Sequence, residues 1–457
     1  MERGRTATVF LAVLALGLMS TRGLDTGDAA VHLDVALGWL ARGGGALSID
    51  PGAHWVPTEP RAGGLFHLDG ETLRSASAPG LAALAVPPVA VGSLLSDGEP
   101  LGLSAFFARA PSPSAIAALQ RDPRVIAFTL LGPLAAATTV AVFWLALGAL
   151  GTGRRARGLA TLALAVGSPL LAYAGSLWTQ LPATAGLALA LLATVRALEA
   201  PSRRLALGTG AALSFAVLVR PDHGLLAAPF VAAWAHRARA APSRMIALLA
   251  PLGLVVAGLF ALDVPLGGDG WDPTRWPRGA AGLLASPRTG LLFFAPFVAL
   301  APLGVRRLAP ALRWVALGVP ALALALYGGW FDWGASLAYG PRFLLPALPP
   351  LALAFAAAVD RPRAGPAARG DVDRLGAVLV GLGLLVQLPG ALVHHARIDE
   401  PARSFHLTAR SAWRTLLAQG PEVVALEVSF WPMATALVAG LGFALARRGN
   451  GRARPTG

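Results

Sequence analysis

This chain of 457 residues contains no cysteine and no lysine. Without cysteine it can form no disulfide, no thiolate metal site and no cysteine nucleophile. Without lysine, all 38 basic residues are arginines, and they outnumber the 24 acidic residues to give a net charge of +14. Only 14% of the residues are charged, whereas 55% are hydrophobic. These proportions indicate a chain that lies largely in an apolar environment.

Long apolar runs recur along the chain, and many reach the roughly 18 residues that a helix needs to cross a bilayer. The arginines cluster in short turns between these runs, as the positive-inside rule requires of cytoplasmic loops. In a soluble protein a charge of +14 would indicate nucleic-acid binding. Here the placement of the arginines accounts for the charge, so nucleic acid is excluded as a partner. The sequence predicts an all-α polytopic membrane protein that is embedded in the lipid bilayer.

The alternation of basic and neutral turns predicts about twelve transmembrane helices with both termini in the cytoplasm. Turns predicted inside are 154–157, 203–204, 237–244, 306–307 and 360–363, and turns predicted outside are 175–181, 220–224 and 329–342. The first run, Thr6 to Met19, has the basic start of a signal peptide, but no small-residue cleavage site follows it. We therefore predict that it is an uncleaved span.

A long external loop, about residues 23 to 123, follows the first span and carries many of the carboxylates. Its segment 80–95 is apolar enough to span, but Pro79, Pro87 and Pro88 interrupt it. If this segment crossed, the next span would end on the wrong side of the membrane. We therefore expect interfacial or re-entrant helices here, within a loop where chemistry is expected to take place.

The start of this loop, Thr26 to Leu40, has helical periodicity that places Asp28, His32 and Trp39 on one face. Asp28 would then lie in the first turn of a surface helix, beside an imidazole. An aspartate also favours a helix N-terminus for electrostatic reasons alone. A catalytic role and a capping role for Asp28 are both open at this point.

A short polar loop near 329–343 combines aromatic residues with helix-breaking glycines and a proline. Trp330, Trp333 and Tyr339 are aromatics of the kind found at headgroup depth, and the glycines leave backbone groups free for a ligand. Arg342 opens the next apolar run, where a guanidinium must snorkel, pair with a carboxylate or bind an anion such as phosphate. The loop is therefore either an aromatic belt with one snorkelling arginine or a ligand-binding loop.

Two further external segments contain candidate groups. The loop from Asp263 to Thr289 carries Arg288 at the start of the next span. A segment near 394–427 separates the last two spans and holds histidines at 394, 395 and 406. No histidine has a convincing ligand spacing, so a metal site is unknown from the sequence. We divide the chain into residues 1–360 and a C-terminal membrane region, 361–457, with two spans.

Several motifs occur in an order that is typical of one family. They are an early Gly-Asp at 27–28, Ala-Pro-Gly-Leu-Ala-Ala-Leu-Ala-Val-Pro-Pro at 78–88, Gly-Ser-Leu-Trp-Thr-Gln-Leu-Pro at 175–182, Leu-Leu-Ala-Ser-Pro-Arg-Thr-Gly at 283–290, and Trp-Phe-Asp-Trp-Gly with Tyr-Gly-Pro-Arg-Phe-Leu-Leu-Pro between 330 and 346. From about residue 7 to 360 the chain resembles the bacterial GT-C-class integral membrane glycosyltransferases, relatives of protein O-mannosyltransferases and lipid A aminoarabinose transferase. The last motif is the most specific of these.

The resemblance implies sugar transfer at the external face of the inner membrane. Such enzymes use a polyprenyl-phosphate sugar donor, and an acidic residue in the first external loop, matched here by Asp28, acts as general base on the acceptor. An arginine stabilises the departing phosphate, for which Arg342 and Arg288 are the candidates. The other predicted substrate contacts are Tyr339, His32, Trp330 and Trp333. The acceptor, whether protein, lipid or polysaccharide, and the use of a divalent metal are left open.

The chain departs from the family at two positions, and two other functions stay open. Ala29 and Gln180 stand where family members commonly have glutamate, so the acidic set is reduced. A non-catalytic relative that only binds a lipid-linked sugar is one alternative. A transporter or lipid flippase is the other, although the spans hold almost no ionisable residues at the mid-depth where an ion relay needs them.

Overall fold

The computed structural model describes residues 2–21, 24, 27–42, 48–49, 66–69, 72–75, 78–97, 101, 103, 119–238, 241–262, 264, 270–334, 338–360, 366–393 and 409–419. The helices in these ranges are α1 (Glu2–Met19), α2 (Gly27–Arg42), α3 (Gly80–Leu94), α4 (Pro123–Thr129), α5 (Leu131–Ala149), α6 (Arg154–Ala165), α7 (Leu170–Ala174), α8 (Gln180–Glu199), α9 (Arg203–Val219), α10 (His223–Ala238), α11 (Pro242–Ala261), α12 (Trp276–Ala285), α13 (Leu291–Phe294), α14 (Ala301–Val305), α15 (Pro310–Gly328), α16 (Leu348–Val359), α17 (Pro366–Leu392) and α18 (Ala409–Gln419). Two 3-10 helices, Pro296–Leu300 and Arg342–Ala347, precede α14 and α16.

A small antiparallel sheet lies within the first external loop predicted from the sequence. Its strands are β1 (Ser48–Ile49), β2 (Phe66–Asp69) and β3 (Thr72–Ser75), in the order β1-β3-β2. Leu73 of β3 pairs with Ile49 on one side and with Leu68 on the other. The sequence analysis did not predict these strands.

Six helical segments in the described part of the chain are long and apolar enough to cross a bilayer. They are Pro123–Ala149, Gln180–Glu199, Pro242–Ala261, Pro310–Gly328, Arg342–Val359 and Asp371–Leu392. Helices occur at every predicted span except the last, which ends near 447 and lies outside the described residues. The predicted class, an all-α polytopic membrane protein, is confirmed, and the total of about twelve spans stays a prediction.

Two predicted spans are broken helices. The predicted span 157–174 divides into α6 and α7 around Pro169, because proline has no amide hydrogen and disfavours a helical conformation in the residue before it. The Ser168 hydroxyl satisfies part of the interrupted backbone by donating to the Leu164 carbonyl at 2.6 Å and accepting from the Leu170 amide at 3.2 Å. A second break separates α13 from the 3-10 helix that starts at Pro296.

Helix α3, the segment that we predicted not to cross, has both ends against ends of other helices. A Cβ at Gly80 would come within 2.4 Å of the Leu218 carbonyl, at the end of α9. A Cβ at Gly92 would come within 2.7 Å of the backbone of Pro123 and Arg124, at the start of α4. The alternation of basic and neutral turns predicts that both of those helix ends are outside. The contacts therefore fit a helix of roughly 22 Å that lies along the external side of the bundle.

Three of the turns predicted to be cytoplasmic, 154–157, 306–307 and 360–363, meet at one end of the bundle with the start of α1. The pairs in contact are Arg157 with Glu2, the Gly153 amide with Asp360 at 3.1 Å, Arg155 with Asp373 at 3.2 Å, and Arg307 with the Ala357 and Ala358 carbonyls at 3.2 and 3.1 Å. These contacts join the start of α1 to turns that are distant in the sequence. The grouping agrees with the predicted alternation of the spans.

Apolar side chains face outward on the peripheral helices. Leu254 and Ile246 of α11 are 75% and 66% exposed, and Val378 and Leu385 of α17 are 58% and 55% exposed. By contrast, most of the side chains of α16 are buried. Such broad apolar faces would be unfavourable in water. In a bilayer they contact lipid tails.

Candidate active site

Three turns that are predicted to be external, from the alternation of basic and neutral turns, meet at the end of the bundle that carries α3. The first lies between α7 and α8, the second between α9 and α10, and the third follows α15. Trp178 and Thr179 come from the first turn, Arg220 and Asp222 from the second, and Arg342 from the third. Side-chain contacts join all three turns. From the sequence alone they were interpreted as separate loops.

A partly buried ionic network links the first two turns to α15. Arg220 donates to both carboxylate oxygens of Asp222, through Nε at 3.1 Å and through Nη2. Its Nη1 donates to the Thr179 hydroxyl at 3.0 Å, and the Tyr327 hydroxyl donates to Asp222 Oδ2 at 2.7 Å. The side chains of Arg220 and Asp222 are each 19% exposed. We call these four residues, Thr179, Arg220, Asp222 and Tyr327, the Asp222 network.

The charge state of Asp222 follows from these contacts. Burial raises the pKa of this carboxyl, but the adjacent Arg220 charge and the hydrogen bonds from Arg220 and Tyr327 outweigh burial and lower the pKa to about 2. Burial lowers the pKa of Arg220, whereas the contacts of Arg220 with the Asp222 carboxylate and Tyr327 raise it by a larger amount, so the net shift of the pKa is upward. The pair is therefore ionised at neutral pH, and the two charges compensate each other in a desolvated turn.

Arg342 lies between two aromatic rings at the start of its 3-10 helix. Its guanidinium carbon is 4.1 Å from the centre of the Trp178 ring and 4.9 Å from that of Phe343. Phe343 in turn stacks on Tyr327, with ring centres 4.8 Å apart and an interplanar angle of 12°. The Arg342 side chain is half-buried. A cation held against aromatic faces in a desolvated position interacts more strongly with an anion than a cation in bulk water does.

Tyr339 is held between α13 and α17. It is fully buried, and its hydroxyl donates to the Val386 carbonyl. Its ring meets Phe294 edge to face, with centres 5.3 Å apart, and a Cβ at Gly390 would lie 2.1 Å from the ring. The ring therefore fits into a gap that a glycine leaves on α17, and its position at headgroup depth stays a prediction. Its predicted substrate contact stays a prediction.

The two predicted tryptophans attach this loop to the segment predicted as an external loop between Asp263 and Thr289. The Trp333 ring lies against Gly282 of α12, where a Cβ would come within 2.2 Å of it. Trp330 pairs through its backbone with Trp271, whose indole nitrogen donates to the Leu326 carbonyl at 2.9 Å. Both Trp330 and Trp333 are half-buried. Their rings therefore pack within the protein as well as lining the surface.

Arg288 lies in the exposed turn between α12 and α13. Its amide donates to the Ser286 hydroxyl at 3.1 Å, which shapes the turn. Helix α13 follows directly and carries Phe294, the ring that packs on Tyr339. The structure thus places Arg288 in a turn that adjoins the 329–343 loop, and its role stays a prediction.

Helix α2 carries the first predicted acidic candidate. Asp28 is its second residue, in the first turn as predicted, and the Asp28 side chain lies outside the described part of the structure. His32, one turn further on, is 2% exposed, so it packs in the interior. Helix α2 packs on α3, whose start contacts the end of α9 directly before Arg220. Helix α2 is therefore on the same side of the bundle as the Asp222 network.

The described residues give no support to a metal centre. No group of three histidine, aspartate or glutamate residues within these ranges could hold an ion. The histidines at 394, 395 and 406 lie outside them. Use of a divalent metal stays open, as it was from the sequence.

The Asp222 network and Trp178 were not predicted as site residues from the sequence. A signal was present, because Arg220-Pro221-Asp222 places two charges between apolar spans. These charges cancel in a count of net charge, so the turn was taken as nearly neutral. The partners Thr179 and Tyr327 are distant in the sequence and could be identified only from the fold.

Comparison with solved structures identifies the fold. No protein-family model matches the chain, and no curated protein matches it by sequence. The structure is similar to the crystal structure of ArnT from Cupriavidus metallidurans bound to undecaprenyl phosphate, with a TM-score of 0.51 and 16% identity over 97% of this chain and 77% of that one. The apo state of the same protein gives a TM-score of 0.50 and 16% identity, over 96% and 76%. The chain therefore has the overall fold of ArnT, a member of the family that the sequence motifs resemble.

Proposed function

We propose that this protein is a membrane glycosyltransferase that transfers a sugar from a polyprenyl-phosphate-linked donor to an acceptor on the external face of the inner membrane. The observation that carries the proposal is the fold similarity to ArnT, which extends over 97% of this chain and includes a structure bound to undecaprenyl phosphate. At 16% identity the similarity concerns the fold. The arguments for individual residues therefore come from the geometry of this chain.

Arg342 is the proposed contact of the donor phosphate. Its planar guanidinium can offer two N–H groups to two phosphate oxygens, an arrangement that a lysine cannot reproduce. Trp178 and Phe343 hold the guanidinium in a half-buried position, 4.1 and 4.9 Å from their ring centres. Glycine at position 340, with φ of +76°, lets the chain turn sharply beside it. Arg288, in the exposed turn after α12, is the proposed second candidate.

Asp28 is the proposed general base. Its carboxylate would take the proton from an acceptor hydroxyl while that oxygen bonds to the anomeric carbon of the sugar. The bond between the anomeric carbon and the phosphate oxygen breaks, and the polyprenyl phosphate leaves with the electron pair. The arginine stabilises the negative charge that develops on the leaving phosphate. The position of α2 on the same side of the bundle as Arg342 supports this division of roles.

A donor-binding relative without transferase activity is the second candidate function. It is favoured by Ala29 and Gln180, which stand where members of the resembled family commonly have glutamate. Both side chains are buried, at 1% exposure, so neither position offers an accessible acid. Under this alternative the protein would bind polyprenyl phosphate and transfer nothing.

The test measures binding and transfer separately on the purified full-length protein. Binding of undecaprenyl phosphate in detergent is expected of both candidates, and its absence would exclude both. Transfer is assayed by comparing envelope glycans and glycoproteins by mass spectrometry in cells with and without the protein. Loss of a sugar from one acceptor class supports the transferase. Binding with unchanged glycans supports the non-catalytic relative.

A further inference from the structure

Two routes of side-chain contact lead from Asp222 to Arg342. In the first, Asp222 binds Arg220, which donates to Thr179, the neighbour in sequence of the Trp178 ring beneath Arg342. In the second, Asp222 accepts from the Tyr327 hydroxyl, and the Tyr327 ring stacks on Phe343, which is the other ring against Arg342. Both aromatic partners of the guanidinium are therefore connected to one partly buried carboxylate.

These connections are rigid ones. The hydrogen bonds of the Asp222 network involve ionised groups, which form the stronger class of hydrogen bond. Tyr327 is 3% exposed and Phe343 is 6% exposed, so the stacked pair is enclosed by other side chains. An arginine side chain has several rotatable bonds and loses entropy when it is fixed. A frame that fixes it before the ligand binds increases affinity by reducing that cost.

We propose that the Asp222 network is a positioning network that fixes the Arg342 guanidinium for the donor phosphate. The inference rests on the proposed function, and it adds residues that act through Arg342 without touching the donor. Trp178 and Phe343 are the surfaces through which the network acts. The network also ties the three external turns together, so the phosphate contact and the fold of this end of the bundle depend on the same partly buried carboxylate.

Two substitutions break one route each and keep the shape of the side chain. Tyr327→Phe removes the hydroxyl that donates to Asp222 and keeps the ring stacked on Phe343. Thr179→Val removes the oxygen that accepts from Arg220 at 3.0 Å. Neither leaves the Arg220 and Asp222 charges without each other, so both variants are expected to fold. Thermal unfolding of each purified variant verifies this.

Thr194→Val is the matched control. Thr194 lies on α8, the helix that begins directly after Thr179; it is 3% exposed and accepts a side-chain hydrogen bond from the Trp234 indole nitrogen at 3.2 Å. It is fifteen positions from Thr179, which corresponds to roughly 22 Å along a helix. The control therefore removes a similar buried hydrogen bond at a distance from Arg342. It should lower the thermal stability and leave ligand binding unchanged.

The experiment measures the affinity of the full-length protein for undecaprenyl phosphate in wild-type and Arg342→Lys backgrounds. Tyr327→Phe and Thr179→Val are each expected to weaken binding about fivefold in the wild-type background, which corresponds to about 1 kcal/mol. In the Arg342→Lys background the guanidinium is gone, so the same substitutions are expected to change the affinity less than twofold. This non-additivity is what a role through Arg342 requires.

The outcomes separate the inference from the proposed function. Wild-type affinity in both network variants, or equal losses in both backgrounds, would overturn the positioning role while leaving the donor site intact. Equal weakening by Thr194→Val would also overturn it, because the effect would then be one of general stability. Failure of the wild-type protein to bind undecaprenyl phosphate would instead overturn the proposed function itself, and the inference with it.

Discussion

Replacement of Arg342 is the substitution whose outcome depends most directly on the geometry of the site. If Arg342 only snorkels to the headgroup region, lysine should replace it with little effect, because a lysine snorkels equally well. If Arg342 binds phosphate through its fork, lysine keeps the charge and loses the paired geometry. Leucine loses both. We therefore expect the donor affinity to fall in the order arginine, lysine, leucine.

The magnitudes follow from the position of the guanidinium. Arg342 is half-buried beside Trp178 at 4.1 Å, so its hydrogen bonds to a phosphate would be partly shielded from water. A hydrogen bond to a charged group contributes about 1.5–3 kcal/mol. Lysine loses one such bond, and the affinity should fall about tenfold or more. Leucine loses two and the charge, and the affinity should fall about 100-fold or more.

The assay is titration of the purified protein in detergent with undecaprenyl phosphate, alongside the same two substitutions at Arg307. Arg307 lies at the opposite end of the bundle, where its Nη1 donates to the Ala357 and Ala358 carbonyls at 3.2 and 3.1 Å. The Arg307 variants should bind as the wild type does. Equal affinities in the wild-type, Arg342→Lys and Arg342→Leu proteins would refute the phosphate contact and leave Arg288 as the remaining candidate.

Three further predictions concern other parts of the molecule. Asp28→Asn should reduce transfer at least about 100-fold, as expected for loss of a general base, and leave undecaprenyl phosphate binding intact; activity within a few fold of wild type would exclude Asp28 as the base. Cysteines introduced at Ser75 and Ser114, on either side of α3, should both react with an impermeant thiol reagent on intact cells, whereas labelling of one alone would show that α3 crosses the membrane. The pKa of Asp222 is lowered from its ordinary 3.8 to about 2. The ionised carboxylate therefore contributes about 2 kcal/mol of stability, which is present above about pH 4 and is lost as the pH falls towards 2. The thermal stabilities of wild type and Asp222→Asn should therefore converge over that range, and a gap independent of pH would contradict the assignment.

The membrane class and most helix positions could be predicted because they depend on local sequence. Runs of apolar residues and arginine-rich turns determine where helices begin and end, and Arg342 stands out as a charge beside an apolar run. The breaks near Pro169 and Pro296 were visible as prolines. They were missed because average hydropathy over a span does not register the loss of one backbone hydrogen bond.

The site itself depends on contacts between distant residues. Asp222 and Tyr327 are 105 positions apart, and only the packing of α15 against α10 brings them together. The Arg220 and Asp222 charges cancel when a turn is classified by net charge, although their pairing is what makes the turn important. The burial of Tyr339 depends on a gap at Gly390 in another helix. Neither a motif nor a periodicity contains that information.

The central claim, that this protein transfers a sugar from a lipid-linked phosphate donor, is tested most directly by envelope glycan analysis in cells that lack the chain. Mass spectrometry should show one class of glycan or glycoprotein that loses a sugar when the protein is absent. The wild-type chain should restore the sugar, and the Asp28→Asn chain, produced at the same level, should not. Identical glycan profiles with and without the protein, or full restoration by Asp28→Asn, would contradict the account.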